Sequence, residues 1–249
     1  MSISTRVSLQ WVPEDPQELS HTMAFTSPQQ HYIDIRIYKV KYPYLSGDEG
    51  KEPFDKVFQW LLVGDREVIP NTSKVSFKNS IDSQAVTRSI NTNTPLVIGT
   101  DIGDFSEIDG SSDSKEVGSM INPTTGKLQE YVEIWRLLDP IKNNPSEEVK
   151  QENVNLLVPV FTLKIQEIEG QSIIGKLVRL GNWIQGITFN SSTNTFNVIR
   201  SFYNGSEWNN QIEYGDKSIF PLTFTGTYGQ IIKTSDPAIV WECIEVDNI

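Results

Sequence analysis

The sequence predicts an all-β chain folded as two consecutive antiparallel barrels, and three observations carry that expectation. Apolar residues recur at period two in short runs, turn-forming residues separate the runs, and no long helical period occurs anywhere in the 249 residues. Closure suits such a chain, because a barrel removes the unpaired strand edges that an open sheet must otherwise protect. We place an N-terminal barrel over residues 1–140, a linker over 141–153 and a C-terminal barrel over 154–249.

Taken in order, Val7, Leu9 and Trp11 alternate with Ser8 and Gln10, which turns one face of a first strand inward. Next, Ile33, Ile35 and Ile37 face one way and Asp34, Arg36 and Tyr38 the other, as in a sheet wetted on one side. Ser46-Gly47-Asp48-Glu49-Gly50 supplies turn chemistry. Phe58 to Val63 is apolar on both faces and reads as a central strand that Gly64-Asp65 ends, and Val75 and Phe77 begin another. Residues 99–118 are rich in Asp, Ser and Gly with few apolar side chains, so they read as an exposed, mobile loop. Asn122-Pro123 and Gly126-Lys127 bracket a tight reversal, since Pro fixes φ and Gly takes the positive φ a turn needs. Tyr131 to Leu138 then form a strand that Pro140 stops. The polar stretch 139–153 has no core face, and a short helix from Ser146 fits there. In the second half Phe161, Leu163 and Ile165, and again Leu222 and Phe224, alternate with polar residues, while Asn190 to Asn194 reads as a hairpin turn. The strand after Pro237 sets Trp241 among apolar and acidic residues as the first half does at Trp135, so both halves close on the same kind of strand.

Composition excludes several functions. With 32 acidic against 21 basic residues the net charge is −11, which repels nucleic acid and anionic membrane and favours a basic partner. The lone Cys243 can form no intrachain disulfide or Cys-based zinc site and suits a reducing compartment. The N-terminal segment lacks the apolar core of a signal peptide, and no run approaches the roughly 20 apolar residues of a membrane span, so no membrane insertion is expected. The expected address is the cytoplasm, with the nucleus open to it.

Motifs for catalysis fall short in identifiable ways. Gly170 to Lys176 has the spacing of a phosphate-binding loop, but Leu177 stands where Ser or Thr must reach magnesium, and the residues after it are strand-like rather than helical. Asp109, Ser111 and Asp113 imitate a calcium loop, yet Ser114 replaces its glycine and Met120 its bidentate Glu. His21 and His31 lack a second ligand at i,i+4, and no G-x-S-x-G occurs. No catalytic residue, metal or cofactor is therefore assigned. The six tryptophans, Trp11, Trp60, Trp135, Trp183, Trp208 and Trp241, either pack the barrels or line a cavity for a small apolar ligand, which makes a carrier the alternative function. Ser111, Ser112 and Ser114 lie in an acidic segment that suits an acid-directed kinase, with Asp109 three residues before Ser112.

Asp101-Ile-Gly103-Asp-Phe105, then Gly118, then Asn122-Pro123-Thr-Thr-Gly126-Lys127, Tyr131, Glu133, Trp135 and Arg136 together resemble the fungal Hri family. Its members are named for interacting with a casein-kinase-one-type yeast kinase. Phe58-Gln-Trp60 with Gly64, and Ile81-Asp82-Ser83, sit in the matching order, so the similarity covers about residues 58–136. Gln84 and Asp104 depart from the pattern, where Arg and a small residue are expected. The resemblance implies two lipocalin-like (calycin-type) barrels and no catalytic activity. It further implies binding to, and phosphorylation by, a casein-kinase-one-type protein kinase, contact with an endoplasmic reticulum translocation subunit, and self-association as a homodimer.

Overall fold

The period-two runs of the first half close into a ring in the computed structural model, which describes residues 1–45, 52–142, 158–234, 236 and 239–248. Its strands are β1 (Ser2–Trp11), β2 (Ser20–Thr26), β3 (His31–Tyr38), then, after a two-residue strand β4 (Tyr44–Leu45), β5 (Phe58–Val68) and β6 (Lys74–Asp82). The ring is completed by β7 (Thr100–Glu107), β8 (Ser114–Ile121) and β9 (Leu128–Leu138). All neighbours are antiparallel, and β9 returns to pair with β1. Helix α1 (Phe54–Val57) precedes β5, and α2 (Ser83–Thr92) follows β6. Asp82 caps α2 by accepting from the backbone N–H groups of Gln84 and Ala85, and Asn93 ends it in the left-handed conformation.

The second half is built from β10 (Pro159–Ile165), β11 (Ile173–Leu180), β12 (Trp183–Asn190), β13 (Thr195–Tyr203), β14 (Trp208–Tyr214), β15 (Ile231–Lys233) and β16 (Val240–Asn248). The all-β expectation holds, but the expected second ring does not form among the described residues. Its sheet runs β15-β16-β10-β11-β12-β13-β14-β4, with β15 and β4 at the two ends. The edge that closure would have hidden is partly covered by β4, a piece of the first half lying parallel to β14. The likeness of the two closing strands is real in pairing: β9 lies against β1 and β16 against β10, each antiparallel with one register shift.

The largest departure from expectation lies in β3. Asp34 and Arg36, expected on a wetted face, are only 4% and 6% exposed and point into the ring, while Ile33, Ile35 and Ile37 point out of it and are fully buried. The same inversion repeats on the strands around β3. Ser4, Ala24 and Leu62 face the interior, and Ile3, Met23, Phe25, Leu61 and Val63 join an apolar core with Val178, Trp183, Ile187 and Phe202 of the second sheet. Both faces of these barrel strands are therefore buried, the apolar face against the sheet and the polar face inside the ring. A bulge between Arg6 and Ser8 shifts the alternation in β1, which leaves Val7 exposed while Leu9 and Trp11 are buried.

Three other expectations are corrected. Residues 99–118, read as a mobile loop, form β7, β8 and their hairpin. The apolar content is low because one face looks into a polar interior and the other into solvent, so neither demands a hydrophobic run. Gly64-Asp65 does not end β5; a bulge at Val63/Gly64 lets the strand continue to Val68. Leu222 and Phe224 are not in a strand; Phe220 and Phe224, with Ile219 of the short 3-10 turn Lys217–Ile219, pack on the far apolar face of the second sheet, beside Leu177, Ile184, Ile199 and Trp241. The helix expected from Ser146 lies outside the described residues.

Buried polar side chains lock sheet to barrel. Gln185 Nε2 donates to the backbone oxygens of Met23 (3.1 Å) and Ile33 (2.9 Å), and its Oε1 accepts from Arg200 Nε at 2.7 Å. Arg200 also donates to Ile35 O and pairs with His21 Nδ1. Burial, and then the charge of Arg200, push His21 down to about 3, so the ring stays neutral and accepts, stacked on Tyr42 with centroids 3.7 Å apart. Lys176 Nζ donates to Gly64 O and to Asp65. Replacing Gln185 with Leu removes two donors and strands Arg200 Nε, and we expect a loss of about 2–3 kcal/mol in urea denaturation; a change below about 0.5 kcal/mol would show that the apolar contacts alone hold the sheet on the barrel.

Candidate functional site

The interior of the first barrel holds a partly open cavity of about 220 Å³. Its walls are of two kinds. Tyr32, Trp60, Phe77 and Trp135 present aromatic surface, while Asp34, Arg36, Glu116 and Glu133 present charge. Such a mixture is possible because the barrel's apolar residues face outward onto the second sheet, leaving the alternate positions free of the need to form a dry core.

A chain of ion pairs crosses the barrel and forms part of the wall of this cavity. Glu18 Oε2 accepts from Arg6 Nε at 2.6 Å, Glu133 Oε1 accepts from both Arg6 Nη1 (2.5 Å) and Arg36 Nη1 (2.9 Å), and Asp34 Oδ2 accepts from Arg36 Nε (2.8 Å). Arg6 and Glu18 line a second cavity of about 190 Å³, so the ion pairs form a partition between the two spaces. The Arg36 guanidinium also lies 5.3 Å from the Trp60 ring centroid and 6.0 Å from that of Trp135. Burial works against the charge on Arg36, but Asp34 and Glu133 outweigh it and raise its pKa.

Glu116 is the second hub. Its two oxygens accept from Tyr131 Oη (2.8 Å) and Trp135 Nε1 (2.9 Å). Burial, and then the nearby Glu133 charge, push it up to about 7. Gly103, opposite on β7, makes the room: a Cβ there would lie 2.2 Å from Glu116 Oε1. Burial also raises Asp34 and Asp101. Among the described residues, Asp34 Oδ1 and Arg66 Nε are buried polar atoms without a hydrogen-bond partner, and both side chains border this cavity.

The motif residues divide cleanly by position. Asp101, Phe105, Tyr131, Glu133 and Trp135 line the cavity, and Gly103 admits Glu116 to it. Asn122, Pro123, Gly126 and Lys127 instead build the β8–β9 turn, where Asn122 is buried and its Oδ1 accepts from Thr124 N, while Gly126 takes φ +68°. Arg136 faces outward and clamps Asp113 through two bonds of 2.8 and 2.9 Å. Ser111 and Ser112 are exposed at the β7–β8 hairpin, whereas Ser114 is half-buried in β8 and borders the cavity. The phosphate-loop lookalike is spent on the interface, since its Lys176 holds Gly64 and Asp65. Of the six tryptophans, Trp60 and Trp135 line the cavity, and Trp183 and Trp241 are core.

Asp34, Arg36, Arg6 and Glu116 were missed as site residues by sequence reasoning. For Asp34 and Arg36 the signal was charge at strand positions alternating with isoleucine, which reads equally as a solvated face, and Arg6 and Glu116 carried none. Among the described residues no group of three or more His, Cys, Asp or Glu is placed to hold a metal ion, and no helix is long and apolar enough to cross a membrane.

The raised pKa of Glu116 fixes a sign. The folded chain holds that proton more tightly than the unfolded chain, whose value is near 4.5, so the stabilising contribution is full below about pH 4.5 and is lost as pH rises through about 7. Denaturation of wild type and Glu116→Gln across that window should therefore show the wild type losing ground to the variant by on the order of 1–3 kcal/mol. A pH-independent difference between the two would mean that Glu116 is ionised in the fold throughout.

Comparison with known proteins agrees with the fold and covers nearly all of the chain. The family described as Protein HRI1 matches residues 2–245. Protein HRI1 of Kluyveromyces lactis is 26% identical over 255 residues, covering 98% of each chain. The crystal structure of the uncharacterized protein YLR301w from Saccharomyces cerevisiae superposes with a TM-score of 0.74 at 21% identity, again over 98% of both chains, which speaks to the fold alone. With the match running through both the cavity-forming barrel and the second sheet, the chain belongs to the HRI1 family.

Proposed function

We propose that this HRI1-family chain is a non-enzymatic binding protein whose first barrel takes a small amphipathic ligand. The observation that carries this reading is the cavity of about 220 Å³ whose aromatic walls meet buried charged groups. Pockets that bind small molecules combine apolar walls with a few placed polar groups, and this interior has both. A wholly apolar ligand, the carrier substrate expected from the tryptophan content, fits less well, because it would leave Asp34 Oδ1 and Arg66 Nε without partners. Native mass spectrometry of the chain purified from its own cells tests this. A bound non-covalent mass should accompany the wild type and disappear in Ala24→Leu, which fills the cavity wall; the bare chain mass in both samples would reject the reading.

A second reading, association with and phosphorylation by a casein-kinase-one-type kinase, is favoured by the β7–β8 hairpin. Ser112 is exposed there with Asp109 three residues before it, while Asp113 is engaged by Arg136 and less free to recognise a kinase. A basic substrate groove would accept such a turn. Incubation with a purified kinase of this type should modify Ser111 or Ser112 in preference to Ser114, and Asp109→Asn should slow modification of Ser112 severalfold. Phosphate mapped only to Ser114, or an unchanged rate in Asp109→Asn, would discard this reading.

A further inference from the structure

We propose that the ligand of the barrel cavity is a small organic ammonium with an aromatic or branched body, its N–H donors directed at Asp34 Oδ1. This rests on the reading of the barrel as a binding cavity and names the chemical class of what it binds.

Four observations converge on a cation. Asp34 borders the cavity, is 4% exposed and gives one oxygen to Arg36, while its Oδ1 is buried with no donor among the described residues. A buried acceptor left unmatched is costly, and more so when it carries charge. The cavity wall carries the carboxyl groups of Asp34, Asp101, Glu116 and Glu133 against the guanidinium groups of Arg36 and Arg66. Arg36 is already shared between Asp34 and Glu133, and Arg66 lies over the Phe77 ring and donates to Thr26 Oγ1. The charge of Arg36 is thus committed to two carboxylates while Arg66 is engaged by a ring and a hydroxyl, and burial raises the proton affinity of Asp34, Asp101 and Glu116.

Shape and chemistry narrow the choice further. A protein cavity of about 150 Å³ holds benzene, so the space here, about 220 Å³, takes one ring with a short amine arm. Tyr32, Trp60 and Phe77 offer aromatic surface to such a ring. An anion would confront four carboxyl groups. Arg66 Nε offers it one unpaired donor, which a ligand hydroxyl or carbonyl could equally use. A bare metal ion lacks its ligand set, since no three metal-ligating side chains are grouped among the described residues.

Isothermal titration at about pH 8 with 2-phenylethylamine, 2-phenylethanol and phenylacetate separates the possibilities. The amine should bind at least about tenfold more tightly than the alcohol, a difference of about 1.4 kcal/mol, and phenylacetate weakest of all. Asp34→Asn should reduce the preference for the amine to less than about threefold, with a thermal melt establishing that the variant is folded; should it not fold, Ala24→Leu must abolish amine binding by removing volume. Equal binding of amine and alcohol, tighter binding of phenylacetate, or amine binding unaffected by Asp34→Asn would overturn the ammonium assignment while leaving a ligand-binding barrel. No binding by any of the three probes, together with no retained mass in the native protein, would overturn the barrel reading itself.

Discussion

The line of ion pairs Glu18–Arg6–Glu133–Arg36–Asp34 through the first barrel is the constraint on which the rest of the structure depends. Taking charges out of water costs several kcal/mol per ion after relaxation, and buried pairs commonly do no better than apolar residues of the same volume. A barrel with such an interior cannot rely on its inside for stability. It must place its hydrophobic face elsewhere, and here that face is the outside. The isoleucines of β3 and their neighbours Met23, Phe25, Leu61 and Val63 require a cover, which β11 to β14 of the second sheet provide.

The coupling of the two halves is a consequence of this inversion. Once the barrel's outer wall is apolar, the second sheet gains one partner for each of its faces: the barrel on one side, and the segment through Ile219, Phe220 and Phe224 on the other. Gln185, Arg200 and Lys176 then reach across to backbone oxygens of β2, β3 and β5, which fixes the angle of contact more sharply than apolar packing does. The β4 strand works in the same direction, since it is drawn from the first half and hydrogen-bonded into the sheet of the second. Stability and the site are thus separated in space, with the core between the layers and the polar cavity inside the ring.

Much of the fold was legible because strands announce themselves at period two. Leu9 and Trp11, Ile33 to Ile37, Phe161 to Ile165 and the turn at Asn190 to Asn194 all lie in strands or at the hairpin where the alternation puts them. What alternation cannot give is the side that faces water. In β3 the apolar and charged rows were correctly separated, yet the charged row went inward, because the partner covering the isoleucines lies about 150 residues away in sequence. The hairpin of β7 and β8 was invisible for the same cause, since Gly103 and Gly118 look like loop chemistry until the side chains they make room for, Glu116 and Tyr131, are in place. Helix α2 was missed because its single turn-and-a-half of apolar positions, Ala85 and Val86 with Ile90, is too short to establish a period, although Asp82 was available as its cap. The site was only half visible: the family motif held Tyr131, Glu133 and Trp135, but their partners Arg6, Arg36, Asp34 and Glu116 lie on other strands and carry no local signature.

The central claim is that the polar interior of the barrel is kept open to receive a ligand. A crystal structure of the chain purified from its own cells, with electron density inspected between Asp34, Trp60 and Trp135, tests this most directly. The account predicts continuous density for a small organic molecule with an atom in hydrogen-bonding contact with Asp34 Oδ1. Density only for ordered water, or side chains collapsed across that space, would contradict it.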